Sequence, residues 1–294
     1  MRYEGPGLTE PVLTEPVLIA SADGVTVALH RLGGEGPPLL FVHATGFNAR
    51  TYTPFVTPLA EHYTVWAPDL RAHGWSSPPT NDDYGWDRLA LDVLAAIDHL
   101  GLEHGQVDAV GHSVGAAALL LADSVRPGLL RRLYGYEPVM WRPGEAFGPG
   151  ENPLIAGAAK RKEVFPSRAE AMERFAARPP FATVRADALL AYVTAAFEDQ
   201  SDGTVRLRCR GLNEAATYDG ERVSTTDSIT NCQAEVTIGM GADPGFGNLG
   251  RPAFEALPNA TLTVHDDLGH FGPLQAPDRL AADALAALTS RTES

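Results

Sequence analysis

The stretch VDAVGHSVGAAALLLA, residues 107–122, passes from a short apolar strand to an apolar helix through Gly111-His112-Ser113-Val114-Gly115. A turn that tight leaves little room for side chains two residues before and two after its centre, so its geometry calls for glycine at both places. The turn lifts Ser113 clear of the sheet at the N-terminus of the helix. There the backbone N–H of Val114 and the helix dipole both face an oxyanion that forms when the hydroxyl attacks a carbonyl. The plainer reading is a glycine-rich turn with an incidental serine. The strand before, the helix after and both glycines weigh against it.

A serine needs a base. Of the nine histidines, TVHDDLGHFGPLQAPDRL (263–280) singles out His270, on a loop between the last strand and the last helix. His265 reads as part of that strand, and His62, His99 and His104 fall on helices or their ends. A second oxyanion donor is expected from FVHATGF (41–47), where the backbone N–H of Thr45 stands two positions after His43. His43 is read as ordering this loop, and it is placed with His112 among the residues expected near substrate.

Around these residues, strand and helix patterns alternate. PPLLFVHAT, TVWAPDLRAHGWS, QVDAV, LLRRLYGYEPV, AEVTIGM and ATLTVHD read as strands. TYTPFVTPLAEHY, DRLALDVLAAIDHLGL, AAALLLADSV and DRLAADALAALTSR read as helices between or after them. Such alternation predicts an α/β fold, a parallel sheet covered on both faces. Ahead of it, VLIASADGVTVALHRLG reads as a hairpin turning at Asp23-Gly24. The unit LTEPV, written twice before that, lengthens an N-terminal arm expected to be flexible over 1–16. The alternation breaks over 141–218, where a Gly/Pro-rich exit leads to helical pieces such as SRAEAMERFAA and ADALLAYVTAAFE. This segment is expected to form a helical cap inserted in a core of 17–140 and 219–294. Its Phe175, Phe181 and Tyr192 are candidates for the wall of an apolar pocket.

The charge balance narrows the partners. The 294 residues carry 23 Lys and Arg against 37 Asp and Glu, a net charge of −14. Nucleic acids and anionic membrane surfaces need a basic footprint, so neither is expected. The start, MRYEGPGLTE, has no apolar run resembling a signal peptide. With Cys209 and Cys232 the only cysteines, free thiols in a reducing, cytoplasmic setting are expected. No His, Cys or carboxylate cluster has metal-ligand spacing, and no cofactor is implied.

The chain resembles the α/β-hydrolase superfamily over nearly its whole length. The resemblance rests on FVHATGF, APDLRAHGWS (67–76), GHSVG and DLGHFGPL (267–274), with Ala72 where the family usually has a glycine. It implies a mostly parallel eight-stranded sheet, a Ser-His-acid triad, an oxyanion hole and a variable cap. Two carboxylates at strand tips are candidates for the acid: Glu137 after LLRRLYGY, and Asp243 in GMGADPGFGN (239–248). ADPGFGNLG with ALPNATLTV resembles haloalkane dehalogenases, and that likeness implies a glutamate after the sixth strand in the role. The dehalogenase reaction itself does not carry over. A carboxylate attacking an alkyl carbon leaves an ester that water can open, whereas a serine would leave an ether. Ser113 therefore implies acyl transfer, expected on a small, fairly apolar ester or lactone. A C–C bond hydrolase acting on a diketone, a thioesterase and a cofactor-free perhydrolase are other enzymes the resemblance allows. The run Lys160-Arg161-Lys162 could hold a carboxylated substrate, although such a run is more often a solvated helix face. A ligand-binding protein with little turnover is the alternative of a different class.

Overall fold

The computed structural model describes residues 15–242 and 248–289. The N-terminal arm expected over 1–16 falls almost wholly outside these residues, and Asp243 lies outside them too.

The chain lays down β1 (Val17–Ala20), β2 (Thr26–Gly33), β3 (Pro38–Val42), β4 (Thr64–Pro68), β5 (Val107–His112) and β6 (Leu130–Tyr136). Three short strands follow, β7 (Val164–Phe165), β8 (Phe197–Asp199) and β9 (Val205–Leu207), then β10 (Glu235–Gly241) and β11 (Thr261–His265). Eight of these strands form one sheet in the order β1-β2-β4-β3-β5-β6-β10-β11. β2 is antiparallel to β1 and β4, and the remaining neighbours are parallel.

Period-two alternation on β3 sends side chains to opposite faces of the sheet. Leu40 and Val42 join an apolar cluster with α2 (Trp86–His99) and α3 (Val114–Val125). Leu39 and Phe41 join a second cluster, which includes Phe55 and Leu59 of α1 (Thr53–Leu59). Both faces of the parallel sheet are thereby covered, as its unbroken apolar strands require. After β3 the next strand, β4, lies on one side, and β5 then takes the other. Loops leaving the C-terminal ends of β3 and β5 diverge there, which is where open α/β sheets form a crevice.

Between β6 and β10 the chain makes α4 (Pro153–Ala159), α5 (Arg168–Ala176), α6 (Ala186–Ala195) and α7 (Gly211–Asp219). The all-helical expectation for 141–218 needs correction, because β7-β9-β8 form a three-stranded antiparallel sheet within it. Val205 and Leu207 are buried while Arg206 between them is not, the alternation of a strand. Asp202-Gly203 turns the hairpin, with the Thr204 N–H donated to the Asp202 carboxylate at 3.0 Å. Phe197 and Glu198, read as the end of a helix, are therefore drawn into β8, where Phe197 pairs with Leu207. After β10 come α8 (Arg251–Ala256), α9 (Gly272–Gln275) and α10 (Pro277–Thr289), the last packed with α1 in the second cluster. No helix among the described residues is long and apolar enough to cross a membrane.

Ala72 takes the left-handed conformation, with φ 61°. A Cβ is strained there, which explains the usual glycine. Ala72→Gly should raise stability by about 0.5–1 kcal/mol, the relief of strain less the extra freedom of the unfolded chain. Urea unfolding measures it, and a lower midpoint for the variant would contradict this account.

Candidate active site

The elbow is built as its residue types require. Ser113 has φ 55° and ψ −121°, a sparsely populated conformation that costs of order 1–3 kcal/mol and needs tight surroundings to hold it. Those surroundings are close backbone. A Cβ on Gly111 would lie 2.6 Å from the Ala116 Cα, and one on Gly115 would lie 2.3 Å from the Val42 carbonyl oxygen. The second contact presses the start of α3 against the end of β3, so the elbow and the loop of His43, Ala44 and Thr45 adjoin. Val114 is the first residue of α3, and its N–H has no acceptor within the helix.

Three side chains from three separate strand ends meet. The Ser113 hydroxyl stands 3.0 Å from His270 Nε2. His270 Nδ1 lies 2.9 Å from Glu137 Oε2. A carboxylate can only accept, so Nδ1 carries the proton and Nε2 is left as acceptor for the serine. Glu137 is fully buried, yet its charge is well supported. Its Oε1 accepts the N–H groups of Gly241 and Asn248, each at 2.9 Å. Glu137 holds φ 47°, and its own N–H is donated to the Gly239 carbonyl at 2.8 Å. Backbone strain and three accepted hydrogen bonds together aim one carboxylate at one imidazole.

His43 and His112 are buried with both ring nitrogens engaged, and His43 orders its loop as expected. His43 Nδ1 donates to the Ala44 carbonyl at 2.8 Å, and its Nε2 accepts the Leu70 N–H at 2.9 Å. That ties the loop after β3 to the loop after β4. Burial, reinforced by neighbouring His73, pushes the His43 pKa down to about 4, so the ring is neutral. His112 bonds to the Tyr52 hydroxyl and to the backbone of His270, both at 2.7 Å. Desolvation holds its pKa well below the usual histidine value, and the neighbouring His270 adds to the effect.

Among the insertion's aromatics, Phe181 and Tyr192 contact rings on the loops that carry the site. Phe47 is 5.9 Å from Phe181, 5.4 Å from Tyr192 and 5.7 Å from Phe271, centroid to centroid. Phe271 in turn lies 5.8 Å from the His270 ring. Phe175 sits one ring further back, against Phe181 and Tyr192. Phe47 and Phe271 stand inside the motifs FVHATGF and DLGHFGPL, which is the signal in the sequence that could have placed them at the site. The run Lys160-Arg161-Lys162 reads in sequence as either a carboxylate holder or a solvated helix face. Arg161 is half-buried, paired with Glu214 and donating to the Tyr192 hydroxyl at 2.8 Å. Among the described residues, no three His, Cys, Asp or Glu side chains gather as a metal-ligand set.

Residues 39–284 match the alpha/beta hydrolase family. The chain belongs to that family. Over 157 residues this α/β-hydrolase is 34% identical to the dihydrolipoyllysine-residue acetyltransferase component of the acetoin cleaving system of Cupriavidus necator. That match covers 50% of the chain and 38% of the relative. N-formylmaleamate deformylase of Pseudomonas putida is 31% identical over 145 residues, covering 49% of the chain and 53% of the relative. The α/β-hydrolase thus spans about half or less of the length of these curated relatives. The crystal structure of E-2-(acetamidomethylene)succinate hydrolase superposes with a TM-score of 0.76 at 21% identity, over 94% of this chain and 100% of that one. At that identity the likeness shows a shared fold.

Proposed function

We propose that this α/β-hydrolase cleaves carboxylic ester or lactone bonds through an acyl-enzyme. The observation that carries the reading is the unbroken line Ser113 Oγ, His270, Glu137, with contacts of 3.0 and 2.9 Å. In this reading His270 takes the Ser113 proton as the oxygen attacks a carbonyl. Glu137 stabilises the imidazolium that forms and keeps its tautomer. The N–H groups of Val114 and Thr45 receive the oxyanion. Protonated His270 then returns its proton to the leaving alkoxide, and water opens the acyl-enzyme by the same route in reverse.

The aromatic wall of Phe47, Phe181, Tyr192 and Phe271 suits an apolar acyl or alcohol group. Arg161 supports an uncharged substrate too. Its charge is already matched by Glu214, so a substrate carboxylate would have to displace that partner at a desolvation cost. A second reading is cleavage of an amide-like, thioester or C–C bond by the same groups, and the deformylase relative supports the first of these.

A fluorophosphonate probe tests the chemistry directly. Mass spectrometry should find the label on Ser113, and a panel of p-nitrophenyl esters, lactones, thioesters and diketones should show esters or lactones turned over fastest. A folded protein that takes no label would sink the serine-hydrolase reading. Labelling with no turnover on any substrate would favour a ligand-binding role, and a diketone turned over fastest would favour C–C cleavage.

A further inference from the structure

One chain of hydrogen bonds runs behind the site and joins the three segments that meet at Ser113. The Ala44 N–H lies 3.4 Å from the Tyr52 hydroxyl oxygen, and that hydroxyl lies 2.7 Å from His112 Nδ1. His112 Nε2 reaches the backbone carbonyl of His270 at 2.7 Å. Tyr52 and His112 are both buried, so water does not compete for these bonds. The carbonyl end fixes the direction of the chain once the His112 ring is neutral. A backbone N–H can only donate and a carbonyl can only accept. The Ala44 N–H therefore donates to Tyr52, the Tyr52 O–H to His112 Nδ1, and His112 Nε2–H to His270. Neutral His112, with one donor and one acceptor nitrogen, fits the middle of this line, whereas a protonated ring would leave the buried Tyr52 hydroxyl proton without an acceptor along it.

The two ends also have functional neighbours. Ala44 precedes Thr45, and the carbonyl at the far end belongs to His270 itself. His112 immediately precedes Ser113. We propose that Tyr52 and His112 are positioning residues that set the spacing between the oxyanion loop and the base. This rests on the serine-hydrolase reading above. A hydrogen-bonded line of fixed polarity specifies separation more sharply than apolar packing, because any member that shifts leaves a buried group unpaired. Tyr136 adds a parallel tether one residue earlier, donating its hydroxyl proton to the Gly269 carbonyl at 2.8 Å.

Tyr52→Phe removes one hydroxyl and keeps the ring that packs on Phe41 and Phe47. It should slow fluorophosphonate labelling of Ser113, and kcat on a p-nitrophenyl ester, about tenfold while KM changes less than about twofold. His112→Leu should cost about a hundredfold, and His112→Gln, which restores an N–H near the Nε2 position, should recover part of that loss. The double variant Tyr52→Phe/His112→Leu should be no slower than His112→Leu alone, since both interrupt one line. Independently of activity, the His270 Nδ1 proton should give a sharp far-downfield NMR signal in the wild type and a broadened one in Tyr52→Phe. Wild-type labelling and an unchanged signal in Tyr52→Phe would overturn the proposal, as would additive losses in the double variant. If His112→Leu does not fold, Tyr52→Phe and the NMR signal carry the test. If the wild type takes no label, the serine-hydrolase reading fails, and the NMR comparison alone decides whether the line positions His270.

Discussion

Glu137→Gln should lower kcat on a p-nitrophenyl ester by roughly 10³- to 10⁴-fold, the loss met when a triad acid is replaced by its amide. The expectation comes from what the carboxylate holds. Glu137 Oε2 is 2.9 Å from His270 Nδ1, while Oε1 is occupied by the N–H groups of Gly241 and Asn248. Two backbone donors fix Oε1, so in the variant the amide carbonyl takes that place and the NH₂ faces His270. A donor at that position favours the tautomer with the proton on Nε2, which cannot accept the serine proton. Fold and thermal midpoint should stay close to wild type, because the amide is isosteric and keeps the bonds to Gly241 and Asn248. Asp243→Asn should cost much less. A severe loss in Asp243→Asn beside a mild one in Glu137→Gln would move the acid's role to Asp243.

Ser113→Ala should abolish labelling and reduce ester turnover at least about 10³-fold with the fold intact. His270→Ala should lose about as much, and the double variant hardly more than either one. Nucleophile and base act as a unit once their contact is 3.0 Å, so removing the second partner takes away little that remains. Full turnover by a well-folded Ser113→Ala protein would remove the serine from the chemistry. Independent, multiplying losses would show that the two residues do not work together.

How far the site could be read in advance depended on how local each signal is. The elbow is fully local: two glycines, a strand before and a helix after are enough, and the contacts of Gly111 and Gly115 give the steric reason. His270 stood out because of its place between the last strand and the last helix. The acid was left open between two strand tips, since the choice depends on register between strands distant in sequence. β6 pairs with β10 so that Tyr136 faces Gly239, and this register carries Glu137 to the foot of the loop that leaves Gly241. No stretch of sequence contains that information. The loop-ordering role read for His43 holds, but the partners of the two histidines were out of reach for a related reason. His43 and His112 flank the reactive groups in sequence, but their nitrogens are claimed by Leu70, Tyr52 and the His270 backbone, contacts that arise only in the folded chain. The small sheet of the insertion was legible in principle. TVRLRCRG alternates apolar and charged residues behind an Asp-Gly turn, yet it stands in a segment whose longer runs are helical.

The insertion shares one apolar cluster with the main domain: Phe165, Leu189, Tyr192 and Phe197 belong with Phe41, Phe55 and Leu280. A segment whose own core is continuous with the body beneath it is poorly suited to swing open like a door. Detaching it would bring several large side chains into water at about 1.5–3 kcal/mol each, a sum comparable to the stability of a whole domain. Traffic to Ser113, itself only 7% exposed, must then rely on smaller movements. The rings of Phe181 and Phe271, 6.1 Å apart with Phe271 beside His270, are only half-buried, so a change of rotamer there would leave the shared cluster closed. Entry and exit would then be filtered ring by ring, with the girth of the substrate setting the toll.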